Sequence, residues 1–239
     1  MARPPFPPTT PARALGGSLL AVAGDAGLRT TALLTDMSQT LGHHVGNALE
    51  VLEAIEFLTG ARREARLHAV TSALASDLLV LGGLARGEDE GVAAVDKALA
   101  SGAAAERFAK MVKALGGPAD LVEHPGRHLA RAPVELAVAP ETSGNITRID
   151  TRAVGLVASA LGGGRQAIED LVDPAVGLAD VRGIGERVGP DRPIGMVYAR
   201  SRGAAEAAAA ALRRAVSVGG EPVLPAMPVL HRMGSRQAT

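Results

Sequence analysis

The sequence has no cysteine and very few aromatic residues, and both absences narrow its chemistry. Without cysteine, the chain has no disulfide bond, no thiolate metal ligand and no cysteine nucleophile. It has no tryptophan, one tyrosine (Tyr198) and three phenylalanines, which leaves no stacking platform for single-stranded nucleic acid. The hydrophobic core is therefore expected to consist of Ala, Val, Leu and Ile side chains.

The sequence also has no excess of positive or negative charge. The 25 Lys and Arg residues balance the 25 Asp and Glu residues, so no overall field favours nucleic acid or an anionic membrane as a partner. No stretch reaches the roughly 20 uninterrupted apolar residues that a membrane span requires. Lysine, a common ligand of phosphate groups, occurs only three times, at Lys97, Lys110 and Lys113.

One apolar stretch near the start has features of a secretory signal. Arg3 and Arg13 precede an apolar run over 15–23, which ends in an Ala-Val-Ala sequence that resembles a cleavage site. A Gly-Gly-Ser sequence interrupts the run, which is also short for such a signal. We interpret the run as a short helix that packs before the next strand, and we expect the protein to be cytoplasmic.

The pattern along the chain predicts an α/β part followed by an α+β part. Residues 1–11 contain five prolines and are expected to form a disordered lead-in. Residues 12–131 form the first part, with one strand that ends near Asp36 and an irregular segment over 120–129. Apolar residues spaced three and four apart predict the helices of this part, which are one helix that ends at Gly60 and others over 67–81, 89–100 and 103–115.

Residues 132–239 have a different pattern. Val134, Leu136 and Val138 alternate with polar or small residues, and Ile146 and Ile149 follow a turn, which predicts a β-hairpin. The remaining predictions for this part are a helix capped by Asp150 and Thr151, a strand over 194–199, an alanine-rich helix over 204–216 and an irregular tail from Gly219.

Three short features could be mistaken for catalytic or ligand sites. His43 and His44 are adjacent, so their side chains point in different directions, and no third histidine lies nearby to complete a transition-metal site. The sequence from Gly162 to Arg165 follows a helix, whereas phosphate loops precede the helix that they use, so we interpret it as a helix terminator. Asp36 stands where acids often serve catalysis, but we assign it either a structural role or a role in supporting neighbouring site residues.

The most informative stretch is 28–51. An apolar run ends at Asp36, a loop with two glycines follows, and an amphipathic helix then carries Glu50 and Glu53. This stretch, with its sequences TTALLTDMSQ and GNALEV, closely resembles the middle of the thymidine and pyrimidine-nucleoside phosphorylases. The resemblance extends over 12–218 and includes the Asp-Thr-Arg-Ala helix start at Asp150, the Gly-Gly-Gly-Arg sequence and Val176-Gly177.

The resemblance implies a fold and an activity. Residues 12–131 would be the C-terminal part of an α/β phosphorylase domain, and residues 132–239 an α/β-hammerhead domain with a barrel-sandwich geometry. Such enzymes convert thymidine and inorganic phosphate into thymine and 2-deoxyribose 1-phosphate, without an organic cofactor. We expect phosphate and a pyrimidine nucleoside as ligands, with no nucleic acid and no membrane as partners.

The same resemblance implies a potassium ion. Related phosphorylases hold it partly through main-chain oxygens at the positions of Leu41 and His44 and through a carboxylate at the position of Glu53. Carbonyl oxygens suit potassium well. Relatives usually carry a small residue at the position of His44, but a main-chain ligand tolerates that change. The alternative from spacing alone is that Glu50, Glu53 and Glu56 form a solvated acidic helix face.

Much of the family's machinery has no counterpart in this sequence. The resemblance implies that the phosphate loop, the groups that hold the base and most of the homodimer contact belong to an N-terminal part that is absent here. We therefore expect a truncated piece that is inactive by itself. The alternative is a non-catalytic fragment or interaction module that pairs with an N-terminal partner chain. The sequence does not separate thymidine from uridine as the substrate.

Overall fold

The computed structural model describes residues 9–165 and 167–234. Its helices follow the predicted pattern closely. The second helix ends at Gly60, which has a left-handed φ of 81°, a conformation that glycine adopts at little cost. Within the described residues, the helices are α1 Thr9–Asp25, α2 Asn47–Thr59, α3 Ala65–Leu81, α4 Glu88–Ala100, α5 Ala103–Ala114, α6 Pro125–His128, α7 Thr151–Ala158 and α8 Arg202–Ala215.

The strands are short and pair antiparallel. Two of them form a two-stranded sheet, β1-β8, and the others form two three-stranded sheets in the orders β2-β6-β4 and β5-β3-β7. The strands of the described chain are β1 Thr31–Thr35, β2 Val134–Val138, β3 Gly144–Ile149, β4 Gly177–Ala179, β5 Arg187–Val188, β6 Gly195–Ala199, β7 Val216–Gly219 and β8 Val229–Gly234.

Two helices begin at side-chain caps. The Asp150 carboxylate accepts a 3.0 Å hydrogen bond from the Ala153 N–H at the start of α7, and the Ser201 hydroxyl accepts one of 3.2 Å from the Ala204 N–H in α8. Such caps satisfy N–H groups that have no partner within the helix. After α7, one turn of π-helix ends at the predicted glycines, where Gly162 has a φ of 102°.

The described residues divide into two compact units. The first consists of 9–37, 65–101 and 226–234, and the second of 38–64 and 102–225 apart from residue 166. The predicted division at residue 131 lies inside the second unit, because the N–H and C=O groups of Val45 pair with those of Leu178 at 2.8 Å. Segments on both sides of residue 131 are thereby held together.

The second unit contains a continuous apolar core. Its largest fully buried side chains come from both three-stranded sheets, from α7 and α8 and from the turns beside them. As expected from the composition, they are aliphatic. The members with less than 2% exposure in this core are Val138, Ile146, Val154, Leu178, Val181, Val188, Ile194, Val197 and Leu212, with several alanines.

The predicted β-hairpin is wrong. Both of its runs form strands, but β2 pairs with β6 and β3 pairs with β5 and β7, in different sheets. Alternation of apolar and polar residues identifies a strand without identifying its partner. The connection at Ser143 therefore leads from one sheet to the other.

Three segments predicted to be irregular are partly regular. Helix α1 begins at Thr9, so the prediction of a disordered lead-in is wrong for 9–11. A proline in the first turn of a helix is tolerated because its missing N–H would have no partner within the helix. The rest of the predicted lead-in, 1–8, lies outside the described residues. Pro125 likewise begins α6. The predicted irregular tail contains β8, which begins directly after Pro228. Among the described residues, no helix is long and apolar enough to cross a membrane.

Candidate functional site

The loop before α2 folds back along the helix. Gly46 has a φ of 148°, and a Cβ atom there would lie 2.6 Å from the main-chain oxygen of Val176, so only glycine fits this position. The Gly46 N–H donates a 3.0 Å hydrogen bond to Glu50. This reversal brings residues 41–44 beside the second turn of α2, where Glu53 lies. We call residues 41–44 together with Glu53 the Glu53 loop.

Two contacts between His43 and the main chain of Val181 anchor the Glu53 loop within the second unit. The Val181 N–H donates a 2.9 Å hydrogen bond to the carbonyl oxygen of His43, and Nδ1 of the His43 ring lies 3.0 Å from the Val181 carbonyl oxygen. With the pairing of Val45 and Leu178, these contacts attach the loop to the end of β4. The loop conformation is therefore set by strand pairing as well as by glycine.

The Glu53 carboxylate points into this loop. It accepts a 2.6 Å hydrogen bond from the His43 N–H, and its Oε1 lies 3.4 Å from Nδ1 of His44. At that distance the two groups are close without forming a hydrogen bond, and among the described residues Nδ1 of His44 is buried without a hydrogen-bond partner. A Cβ atom on Gly42 would overlap the carboxylate, so Gly42 provides the space that Glu53 occupies.

The electrostatics of the loop favour an ionised Glu53. The residue is only 8% exposed, and burial by itself raises the pKa of its carboxyl group. The neighbouring His44 ring and the His43 N–H more than offset that effect, so the pKa lies below the ordinary 4.5. A buried negative charge therefore persists at neutral pH, and Glu53 does not belong to a solvated helix face.

The groups of the Glu53 loop that could bind a ligand are mainly oxygen atoms. Within residues 9–165 and 167–234, Oε2 of Glu53 and the main-chain oxygens of Leu41 and His44 accept no hydrogen bond. The same residues contain no group of three or more His, Cys, Asp or Glu side chains that could hold a metal ion. The structure thus brings Glu53 to the loop that carries Leu41 and His44, and any cation held there would depend on main-chain oxygens.

Several polar residues beside the loop were not predicted from the sequence. Gln39 is 4% exposed. Its side-chain oxygen accepts a 2.8 Å hydrogen bond from the Ile184 N–H, while its Nε2 is buried with no hydrogen-bond partner among the residues that the structure describes. Arg62 contacts Asp180 at 2.6 Å. Asp180 has a φ of 50°, the only left-handed non-glycine residue in the described chain. No local sequence pattern indicates these long-range contacts.

Other candidates have structural contacts. Asp36 and Arg66 form a 3.0 Å ion pair in the first unit, with both side chains largely buried, in keeping with a structural role for Asp36. The three lysines are exposed on α4 and α5, and Lys110 pairs with Glu106. A mostly apolar cavity of about 220 Å³ in the second unit is bounded by α2, α6, Arg131 and Tyr198.

Two family models match separate parts of the chain. Residues 10–105 match the model described as "Glycosyl transferase family, a/b domain", and residues 145–219 match the model described as "Pyrimidine nucleoside phosphorylase C-terminal domain". The first match contains the Glu53 loop. The second contains most of the two three-stranded sheets with α7 and α8.

Curated relatives are similar over nearly the whole chain. The thymidine phosphorylase of Burkholderia orbicola strain MC0-3 is 51% identical over 228 residues, which are 95% of this chain and 52% of the relative. That of Burkholderia cenocepacia strain HI2424 is 52% identical over 215 residues, 90% of this chain and 49% of the relative. The chain therefore spans about half the length of the curated relatives that it matches.

Proposed function

Because the chain belongs to the thymidine and pyrimidine-nucleoside phosphorylase family, we propose that it acts in the phosphorolysis of thymidine or a related pyrimidine nucleoside. In this reaction an oxygen of inorganic phosphate forms a bond to C1′ of the sugar, and the bond from C1′ to the base nitrogen breaks. The base leaves with the bonding electrons and takes up a proton. The products are the free base and a pentose 1-phosphate.

The observation that carries the proposal is the geometry of the Glu53 loop. A phosphorolytic transition state carries positive charge on the sugar and negative charge on phosphate and base, so the protein must hold charged groups in fixed positions. Glu53 is a buried, ionised carboxylate held by the His43 N–H. Such a fixed charge costs free energy to bury, which favours a role beyond stability.

A monovalent cation at the Glu53 loop is part of this proposal. Oε2 of Glu53 and the main-chain oxygens of Leu41 and His44 would hold it, since large and weakly polarising cations prefer oxygen ligands. A potassium ion there would supply positive charge and hold the loop against α2. Gly42 allows the carboxylate to lie directly against the loop. Other ligands would have to come from residues outside this set.

We further infer that the chain alone does not catalyse the reaction. Its lysines are exposed on helices, and no lysine in the described residues accompanies the Glu53 loop. The chain would then act as one part of a phosphorylase, or as a non-catalytic interaction module. The two three-stranded antiparallel sheets and the match over 145–219 support the assignment of an α/β-hammerhead domain to residues 132–225, whereas β8 of the predicted 132–239 domain pairs with β1 in the first unit.

A thymine-release assay tests the proposed function. The chain is incubated with thymidine and inorganic phosphate, alone and together with the part of the Burkholderia orbicola thymidine phosphorylase that it does not match. We expect thymine only when both polypeptides and phosphate are present. Release by the chain alone would contradict the inferred inactivity, and no release by a stable complex of the two would contradict the proposed activity.

A further inference from the structure

A small polar cavity lies at the end of α8. It is bounded by the last turn of α8, by β7 and by the connection between β2 and β3, which all belong to the second unit. Its volume is about 130 Å³, whereas a single water molecule needs about 10–15 Å³. The cavity therefore has room for a tetrahedral oxyanion.

Two neighbouring arginines line this cavity. Arg213 is half-buried, and its Nε donates a 2.9 Å hydrogen bond to the Ala139 carbonyl oxygen. This contact holds the guanidinium group in place, and its other four N–H donors have no partner among the described residues. Arg214 is exposed and forms no ion pair within the part of the chain that the structure describes. The cavity thus presents two guanidinium groups whose donors are available to a ligand.

The other groups that line the cavity leave its charge positive. Among the described residues, Glu141 is the one carboxylate there, and it forms no ion pair with either arginine. It is exposed, so its side chain can turn toward solvent. Thr142 contributes a hydroxyl group, and the buried side chains of Ile194 and Val216 form an apolar wall. Two positive charges therefore face one negative charge that is free to move away.

These groups match the chemistry of a phosphate. A guanidinium group donates two parallel hydrogen bonds to a phosphate or a carboxylate. A carboxylate has two oxygens and a single charge, which one arginine satisfies. A phosphate monoester carries a charge of about −1.5 to −2 at neutral pH and three strong acceptor oxygens, so it can use two arginines and a hydroxyl group together.

We propose that Arg213, Arg214 and Thr142 bind a phosphate group, either as inorganic phosphate or as the phosphate of a monoester. Arg213, fixed by the Ala139 carbonyl oxygen, supplies the oriented donors. Arg214 supplies a second charge, and the Thr142 hydroxyl donates to a remaining oxygen. Glu141 opposes binding because its negative charge lines the same cavity.

A titration of the full chain tests this inference. Isothermal titration calorimetry with sodium phosphate at about pH 7.5 and constant ionic strength measures the affinity, and amide chemical shifts in NMR spectra locate the ligand. We expect saturable binding of one phosphate, with shift changes centred on 139–142 and 213–218. Ribose 5-phosphate in place of phosphate distinguishes the two sources, since the tighter ligand identifies the form that the site prefers. Sodium acetate should bind about ten-fold more weakly than either.

Variants of the cavity residues make the test specific. Arg214→Gln changes an exposed side chain and should weaken phosphate binding several-fold, and Arg213→Gln/Arg214→Gln should weaken it by about ten-fold or more, because charge-assisted hydrogen bonds are lost. Glu141→Gln should tighten binding, since a nearby negative charge is removed. Arg152 is exposed on α7 outside the cavity and has no ion-pair partner in the described chain, so Arg152→Gln is the matched control and should bind as the wild type does.

Circular dichroism confirms that each variant is folded, and Arg214→Gln alone decides the test if the double variant is not. Absence of saturable phosphate binding would overturn the inference. So would binding that Arg214→Gln leaves unchanged, an equal loss in Arg152→Gln, or acetate binding as tight as that of phosphate. Binding is measured without turnover, so the inference and the proposed function can fail separately.

Discussion

The carboxylate of Glu53 accepts a 2.6 Å hydrogen bond from the main-chain N–H of His43, ten residues earlier in the chain. This contact closes the loop onto α2 and buries an ionised group beside main-chain oxygens. A helix residue and the loop before it thereby become one structural feature. The stability of the loop and its affinity for a cation should both depend on the charge of Glu53.

The first prediction concerns acid stability. Because the pKa of Glu53 is lower in the folded chain than its ordinary 4.5, the carboxylate contributes stability above that pH and loses it as the pH falls through the folded value. Glu53→Gln should therefore lose less stability than the wild type between about pH 6 and about pH 3. Urea unfolding at several pH values measures this difference.

An exposed carboxylate provides the control for that prediction. Glu141 is exposed in the connection that follows β2, so Glu141→Gln should keep the pH dependence of the wild type. Glu53→Ala should cost about 1–3 kcal/mol at neutral pH, because the buried His43 N–H then has no partner. Identical pH profiles for the wild type and Glu53→Gln would contradict a lowered pKa of Glu53 in the folded chain.

The second prediction concerns backbone strain at Asp180. Its φ of 50° is unfavourable for a residue with a Cβ, although Asp and Asn tolerate it better than Ala does. Asp180→Ala should destabilise the second unit by about 1–2 kcal/mol, and Asp180→Asn by less. Arg62→Ala removes the partly exposed ion pair alone and should cost under about 1 kcal/mol. Equal losses in Asp180→Ala and Asp180→Asn would contradict the strain.

The third prediction concerns the core of the second unit. Leu212 on α8 is completely buried, so Leu212→Ala should reduce the free energy of unfolding by about 2–5 kcal/mol through lost contacts and a cavity. Leu224, which is 93% exposed, serves as the matched control, and Leu224→Ala should change it by less than about 0.5 kcal/mol. Urea unfolding followed by circular dichroism compares them. Similar losses would mean that α8 does not close the core.

The sequence predicts the helices well because their signals are local. Each helix boundary is determined by residues at the boundary itself, as the Gly60 terminus, the Asp150 cap and the glycines after α7 illustrate. The reversal that brings Glu53 to the loop depends on Gly42 and Gly46, which lie within the loop itself. These features depend on the backbone conformation of single residues and on helical spacing.

Features that depend on partners distant in the chain could not be predicted in this way. The contact of Arg62 with Asp180 joins residues 118 apart, and that of Gln39 with Ile184 joins residues 145 apart. The pairing of β2 with β6, instead of with the neighbouring β3, also joins segments that are far apart in the chain. Apolar alternation specifies which face of a strand is buried and leaves the choice of neighbour to the whole fold.

We propose that this chain supplies the Glu53 loop to a potassium-assisted phosphorylase. The most direct test is the rate of thymine release by the chain combined with the unmatched part of the Burkholderia orbicola enzyme, as potassium replaces sodium at constant ionic strength. We predict that potassium raises the rate for the wild type and for Glu141→Gln, and that Glu53→Gln loses this activation. Equal potassium activation in Glu53→Gln and the wild type would contradict the claim.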